Sequence, residues 1–78
     1  GAKNVAHGLD SSKIIAVNAF LRDDISSFFL PAYTASIQAG YEYAVYFDAT
    51  NIVLELSVAN SANIDAGNPS RILIVYEE

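Results

Sequence analysis

The chain holds one histidine and no cysteine, so nucleophilic catalysis with an imidazole base would have to run through His7. Asp10, Ser11 and Ser12 follow within five residues and supply the residue types of a Ser-His-Asp set. Neighbours on one turn rarely reach relay geometry. The plainer expectation is that His7 ends a strand and bonds a backbone group of the turn. As a metal ligand, a lone His needs copies from other subunits, three around a threefold axis making one plausible set. Asp65-Ala66-Gly67-Asn68 offers oxygen atoms in a loop but lacks the dense acidic spacing of an EF-hand, and reads as a turn. The carboxylates Asp23, Asp24, Glu42, Asp48, Glu55, Glu77 and Glu78 fall mostly on turns and polar strand faces, not as a pair flanking a cleft. No Gly-rich phosphate loop or dinucleotide fingerprint is present. These residues predict a protein without catalysis, without a cofactor and without a metal site.

Recognition chemistry is better supplied. Five Tyr and six Asn are many for 78 residues. Tyr joins a rigid apolar ring to a polar tip, and Asn carries both donor and acceptor, which suits interfaces and sugar binding. Tyr43 belongs to the apolar face of its strand and is expected in the core. Tyr46 lies on the opposite face, and Tyr33 follows Pro31 in a connection, so both are candidates for exposure. Asn60, Asn63, Asp65 and Asn68 share one polar loop, 59–70. The candidate ligand-binding residues are therefore Tyr33, Tyr46, Asn60, Asn63, Asp65 and Asn68.

The elements that must position these residues have a period of two. Residues 14–22 put Ile15, Val17, Ala19 and Leu21 on one face and Ile14, Ala16, Asn18 and Phe20 on the other. In 41–48, Tyr41, Tyr43, Val45 and Phe47 alternate with Glu42, Ala44, Tyr46 and Asp48. Ile52, Leu54, Leu56 and Val58 oppose Val53, Glu55 and Ser57, and Ile72, Ile74 and Tyr76 oppose Leu73, Val75 and Glu77. β-Branched and aromatic residues dominate these runs, as they do in strands. A further strand is expected over 25–30, closed by Pro31, and a short first strand over 3–7. His7-Gly8-Leu9-Asp10, Arg22-Asp23-Asp24 and Asp48-Ala49-Thr50-Asn51 carry turn chemistry, the last as a hairpin on a type I turn. Residues 32–40 form an irregular connection with room for one helical turn. Strands separated by turns, with no long helical period, predict an all-β fold: a small, jelly-roll-like antiparallel β-sandwich of about six strands.

Composition narrows the function. With 53% apolar and 17% charged residues the chain is too apolar for disorder. A net charge of −5 argues against nucleic acid, whose binders need a basic patch. No apolar run approaches the roughly 20 residues that span a bilayer as a helix, so membrane insertion is not expected. Gly1 at the start and the absence of Met suggest a piece of a longer protein or a processed chain. Residues 1–2 are set aside as a tag remnant or linker, and 3–78 form one domain. A domain this small lies near the margin of independent folding, and without disulfides its remaining staple is association. The outward faces of residues 14–20 and 71–77 are still largely apolar, where a half-exposed sheet should be polar. Homo-oligomerisation is the expectation.

The chain also resembles small domains of tailed-bacteriophage fibre and appendage proteins. Lys3-Asn4-Val5-Ala6-His7-Gly8-Leu9-Asp10 looks like their opening lysine-x-valine-x-histidine-glycine segment, followed at similar spacing by Lys13-Ile14-Ile15. Leu30-Pro31-Ala32-Tyr33 is similar to their leucine-proline-x-tyrosine, Phe47-Asp48-Ala49-Thr50-Asn51-Ile52 to their hairpin, and Ile74-Val75-Tyr76-Glu77-Glu78 to their terminal strand. The likeness spans nearly the whole chain and consists largely of structural residues. It implies a β-sandwich module of a phage or prophage fibre, commonly a trimer, on the virion surface at or near a fibre tip, where such modules either bind cell-surface glycans or simply fold and cap the fibre. It supplies no ligand motif. Two other readings remain at this point: a stand-alone carbohydrate-binding or adhesin-like module on a bacterial cell surface, and a small hydrolase using His7.

Overall fold

Ile52-Val53-Leu54 is an uninterrupted apolar run, and burial of all three side chains needs cover on both faces of a sheet. It lies in the central strand of one sheet of the computed structural model, which describes residues 1–32, 40–57 and 59–78. The strands are β1 (Ala2–Ala6), β2 (Ile14–Arg22), β3 (Phe29–Leu30), β4 (Tyr43–Phe47), β5 (Asn51–Leu56) and β6 (Ser70–Tyr76). A short 3-10 turn over Ser11–Lys13 precedes β2. One sheet has the order β1-β5-β4 and the other β3-β2-β6, with every pairing antiparallel. The protein is all-β, a small antiparallel β-sandwich of the class and strand number its alternation predicts.

The core lies between the sheets. Leu21 from β2 and Ile52 and Leu54 from β5 are completely buried, with Ala19, Tyr43, Leu56 and Ile64 beside them. Each large aliphatic chain so placed contributes about 1.5–3 kcal/mol relative to exposure, enough to set the inward face of each strand. Val53 is buried too, on the opposite face of β5, between its register partners Asn4 of β1 and Tyr46 of β4.

Two local expectations change, and two segments gain contacts that the sequence did not specify. Ile15 does not join Val17, Ala19 and Leu21 inside: it is 63% exposed. Ile14 pairs with Tyr76 and Ala16 with Val75, so Ile15 is an extra residue, a bulge that interrupts the alternation. The strand expected over 25–30 shrinks to Phe29–Leu30, because the buried Asp23 side chain draws the preceding residues into a turn. Gly1 and Ala2 belong to the first sheet: Ala2 pairs with Glu55, and the Gly1 carbonyl accepts the Leu56 N–H at 2.8 Å. The polar loop 59–70 is pinned at its middle by buried Ile64, which bridges to Asp23. The helical turn allowed within 32–40 falls mainly on 33–39, outside the described residues, as does Val58.

Candidate functional site

Three clusters of polar chemistry and one apolar face stand out. The first cluster joins the two ends of the β1-β5-β4 sheet's loops. The Leu9 N–H donates to His7 Nδ1 at 3.0 Å, so Nδ1 carries no proton and Nε2 does. Nε2–H then donates to the Asp48 carbonyl at 2.9 Å, while the His7 N–H donates to the Thr50 carbonyl at 3.0 Å. Asp48 in turn accepts the Thr50 and Asn51 N–H groups at 2.9 and 2.7 Å, closing the β4–β5 hairpin. Those backbone donors favour the charged form and hold its carboxyl below the ordinary 3.8. Ser12 Oγ donates to Asp10 at 2.7 Å, and that bond first, then the Ser12 N–H, lowers the Asp10 pKa. Both nitrogens of His7 are thus committed to backbone groups, and Ser12 is committed to Asp10. This is turn architecture, and among the described residues no serine hydroxyl bonds the imidazole.

The second cluster is built around Asp23. Its Oδ1 accepts the Phe28 N–H at 3.0 Å and its Oδ2 the Ser26 hydroxyl at 2.8 Å, with the Ser26 N–H shared between them. Burial is the largest single influence on this carboxyl and opposes its charge. The bonds from Ser26, Phe28 and Ser27 together outweigh burial, so the pKa falls below 3.8. The Asp at 23 and Ser at 26 are a turn signal that the sequence carries openly. The β propensity of Ile25, Phe28 and Phe29 masks it.

The third cluster is the 59–70 loop, where four of the candidate ligand residues lie. Asn68 Nδ2 donates to the Arg22 carbonyl at 2.9 Å and to Asp24 Oδ1 at 2.7 Å. Asn60 Nδ2 reaches Glu42 Oε1 at 3.3 Å, and Ser61 Oγ donates to the Glu42 carbonyl. Asp65 Oδ1 accepts the Gly67 N–H at 2.8 Å. Asn63 packs on Gly40, whose φ of +88° and lack of a Cβ let the Asn63 amide approach; a Cβ there would lie 2.6 Å from Nδ2. Lys3 Nζ donates to the Asn68 carbonyl at 3.0 Å and ties the loop to β1. These polar groups hold the loop to the sheets. Tyr46, 51% exposed, stands on the outward face of the first sheet and joins none of these bonds. Tyr33 lies outside the described residues. Of the five described candidates, four share the 59–70 loop and Tyr46 stands apart from their bonds. Asp65 alone of them lines a shallow depression of about 310 Å³, with Gly1, Leu56, Ser57, Ser61 and Ile64.

The apolar face is the outward side of the β3-β2-β6 sheet. Leu73 is 58% and Val75 44% exposed, next to Ala16 and half-buried Phe20 and Phe29. The Arg71 guanidinium stacks 3.8 Å above the Phe29 ring, and with Phe20 and Leu73 they line an open depression of about 340 Å³. None of the described candidate ligand residues lines that depression. Its chemistry is burial of apolar surface, with the Arg71 guanidinium among its lining groups. Exposed Asn18, the register partner of Leu73, interrupts this face; grouped exposed apolar side chains are the usual character of an interaction surface. The signal was legible as the apolar outward faces of 14–20 and 71–77.

No family model, curated protein or solved structure matches the chain.

Proposed function

We propose that this chain is a non-catalytic interaction module that works as a homo-oligomer, and that it is a fibre or appendage domain of a phage or prophage virion. The carrying observation for self-association is the outward face of the β3-β2-β6 sheet, where Leu73 and Val75 stand exposed beside Phe20 and Phe29. The assignment to a virion surface, and host cell-surface glycan as the ligand class, rest on the sequence resemblance alone. That resemblance speaks for three copies, and the sheet edge considered below speaks for two. The bonding of His7, Asp10, Ser12 and Asp48 into turns supports a reading without catalysis. Light scattering after size exclusion, over a tenfold concentration range, tests the proposal. A mass above one chain is expected, and a stable single-chain mass overturns it.

One observation favours a second reading. The exposed Tyr46 ring on the other sheet suits a carbohydrate-binding or adhesin-like module acting as a monomer. That reading expects a glycan-array signal that disappears on Tyr46→Ala while the mass remains that of one chain. Persistence of the signal in the variant counts against it.

A further inference from the structure

We infer that the open edge of β6 docks a second copy of this chain, the two β6 strands pairing antiparallel about a twofold axis at Ile74. The inference deepens the proposed function and rests on its self-association.

Among the described residues, β6 is paired on one side only, with β2. The Arg22 N–H donates to the Pro69 carbonyl and the Glu77 N–H to the Lys13 carbonyl, which sets the alternation along the strand. Odd-numbered residues of β6 turn their backbone groups toward β2. The N–H and C=O groups of Ser70, Ile72, Ile74 and Tyr76 therefore face the open edge. At seven residues β6 is the longest edge strand, against five for β1 and β4 and two for β3. It contains no Pro and no Lys, the usual devices that protect an edge from pairing.

The side chains select the occupant. Along the outward face β6 reads Arg71, Leu73, Val75 and then Glu77, all exposed. A second β6 running antiparallel about Ile74 sets Arg71 opposite Glu77 of the other copy and Leu73 opposite Val75, and symmetry repeats both pairs; to form the charge pair the Arg71 guanidinium exchanges its stacking on Phe29 for Glu77. In that register Ile72, Ile74 and Tyr76 exchange backbone bonds with Tyr76, Ile74 and Ile72 of the second copy, about six in all. Arg71, Leu73, Val75 and Glu77 take the non-hydrogen-bonded positions, where facing side chains come closest. A slip of two residues either way sets Arg71 against Val75, or Glu77 against Leu73, and loses the match. The strand is thus complementary to itself in charge and in apolar pattern, and the product is one continuous six-stranded sheet, β3-β2-β6 joined to its copy.

The test uses the full chain in sedimentation velocity across a tenfold concentration range. A two-chain mass is expected. Arg71→Glu and Glu77→Arg are each expected to weaken association by about tenfold or more, because each places like charges opposite each other twice. The combined R71E/E77R swap is expected to restore it. Within one strand these two positions are about 20 Å apart, too far for rescue inside a chain. Arg71→Glu also removes the stacking on Phe29, and Glu77→Arg, beyond the end of β6, faces Lys13 of its own chain, so circular dichroism checks the fold of each variant. Ile74→Pro deletes an N–H that faces the open edge and no bond to β2, and is expected to give a folded single chain by circular dichroism. A three-chain mass overturns the β6 pairing and leaves self-association standing. So does a two-chain mass indifferent to the charge reversals, or a loss that the swap fails to rescue. A single-chain mass throughout overturns both.

Discussion

Tyr43 carries a hydroxyl into the core, and its loss should be measurable. The residue is 3% exposed on β4, and its O–H lies 2.6 Å from the Leu30 carbonyl of β3 and 3.2 Å from the Ala19 carbonyl of β2. It is a polar pin between the two sheets. β3 pairs with only Leu21 and Arg22 of β2, so on that edge of β2 the ladder stops short of Ala19, where the hydroxyl sits. Tyr43→Phe keeps the ring and removes the donor. One hydroxyl has one hydrogen, so one donated bond of about 1 kcal/mol net is lost. Part of the penalty for a buried acceptor left short of a partner adds to it, giving about 1–2 kcal/mol. For a domain of this size that lowers the melting temperature by about 4–15 °C. Urea unfolding at a fixed protomer concentration reads the change as a lower midpoint with an unchanged slope. Tyr46→Phe is the control: its ring is half exposed, and the expected change is within about 0.5 kcal/mol. A Tyr43→Phe midpoint within error of wild type, or equal losses in the two variants, would refute the pin.

Acid should act through Asp23. Its folded pKa is depressed, so its stabilisation is fully present above the unfolded value of 3.8 and is lost as pH falls below that toward the folded value. The urea midpoint should be level above about pH 5, fall below pH 4, and fall less steeply in Asp23→Asn, with Asp10 and Asp48 supplying the remaining slope. An identical slope in the variant would sink this account. The His7 ring should give the nitrogen shifts of the Nε2–H tautomer at neutral pH, since Nδ1 accepts the Leu9 N–H; an Nδ1–H pattern would contradict the latch. Gly40→Ala should destabilise by at least about 1 kcal/mol and by more than Gly8→Ala. Both have positive φ, but only at Gly40 does a new Cβ meet a neighbour, Asn63. Equal losses at the two glycines would leave strain as the whole effect.

The alternation in residues 43–47, 51–56 and 70–76 named its strands correctly because a side chain every second residue either finds the other sheet or does not. Tyr43 was expected in the core on that ground alone, and Ile52, Leu54 and Leu56 were set on one shared face; all four are inward. The all-β class and the apolar outward face of β6 were legible for the same local reason. Elsewhere local preference lost to a distant partner. Ile15 carries the right residue type for the core, yet a bulge in the β2–β6 register turns it out. Residues 25–28 have strand propensity, yet a buried carboxylate that binds three backbone N–H groups bends them into a turn. The asparagines of 59–70 have the composition of a ligand loop. Their bonds to Arg22, Asp24 and Glu42, between 18 and 46 residues away in sequence, hold that loop down. Periodicity is a property of neighbours along the chain, so the sequence determined the strands and their faces. Which polar groups meet, and which edge stays open, depends on contacts between segments far apart in the chain, and only the tertiary structure decided them.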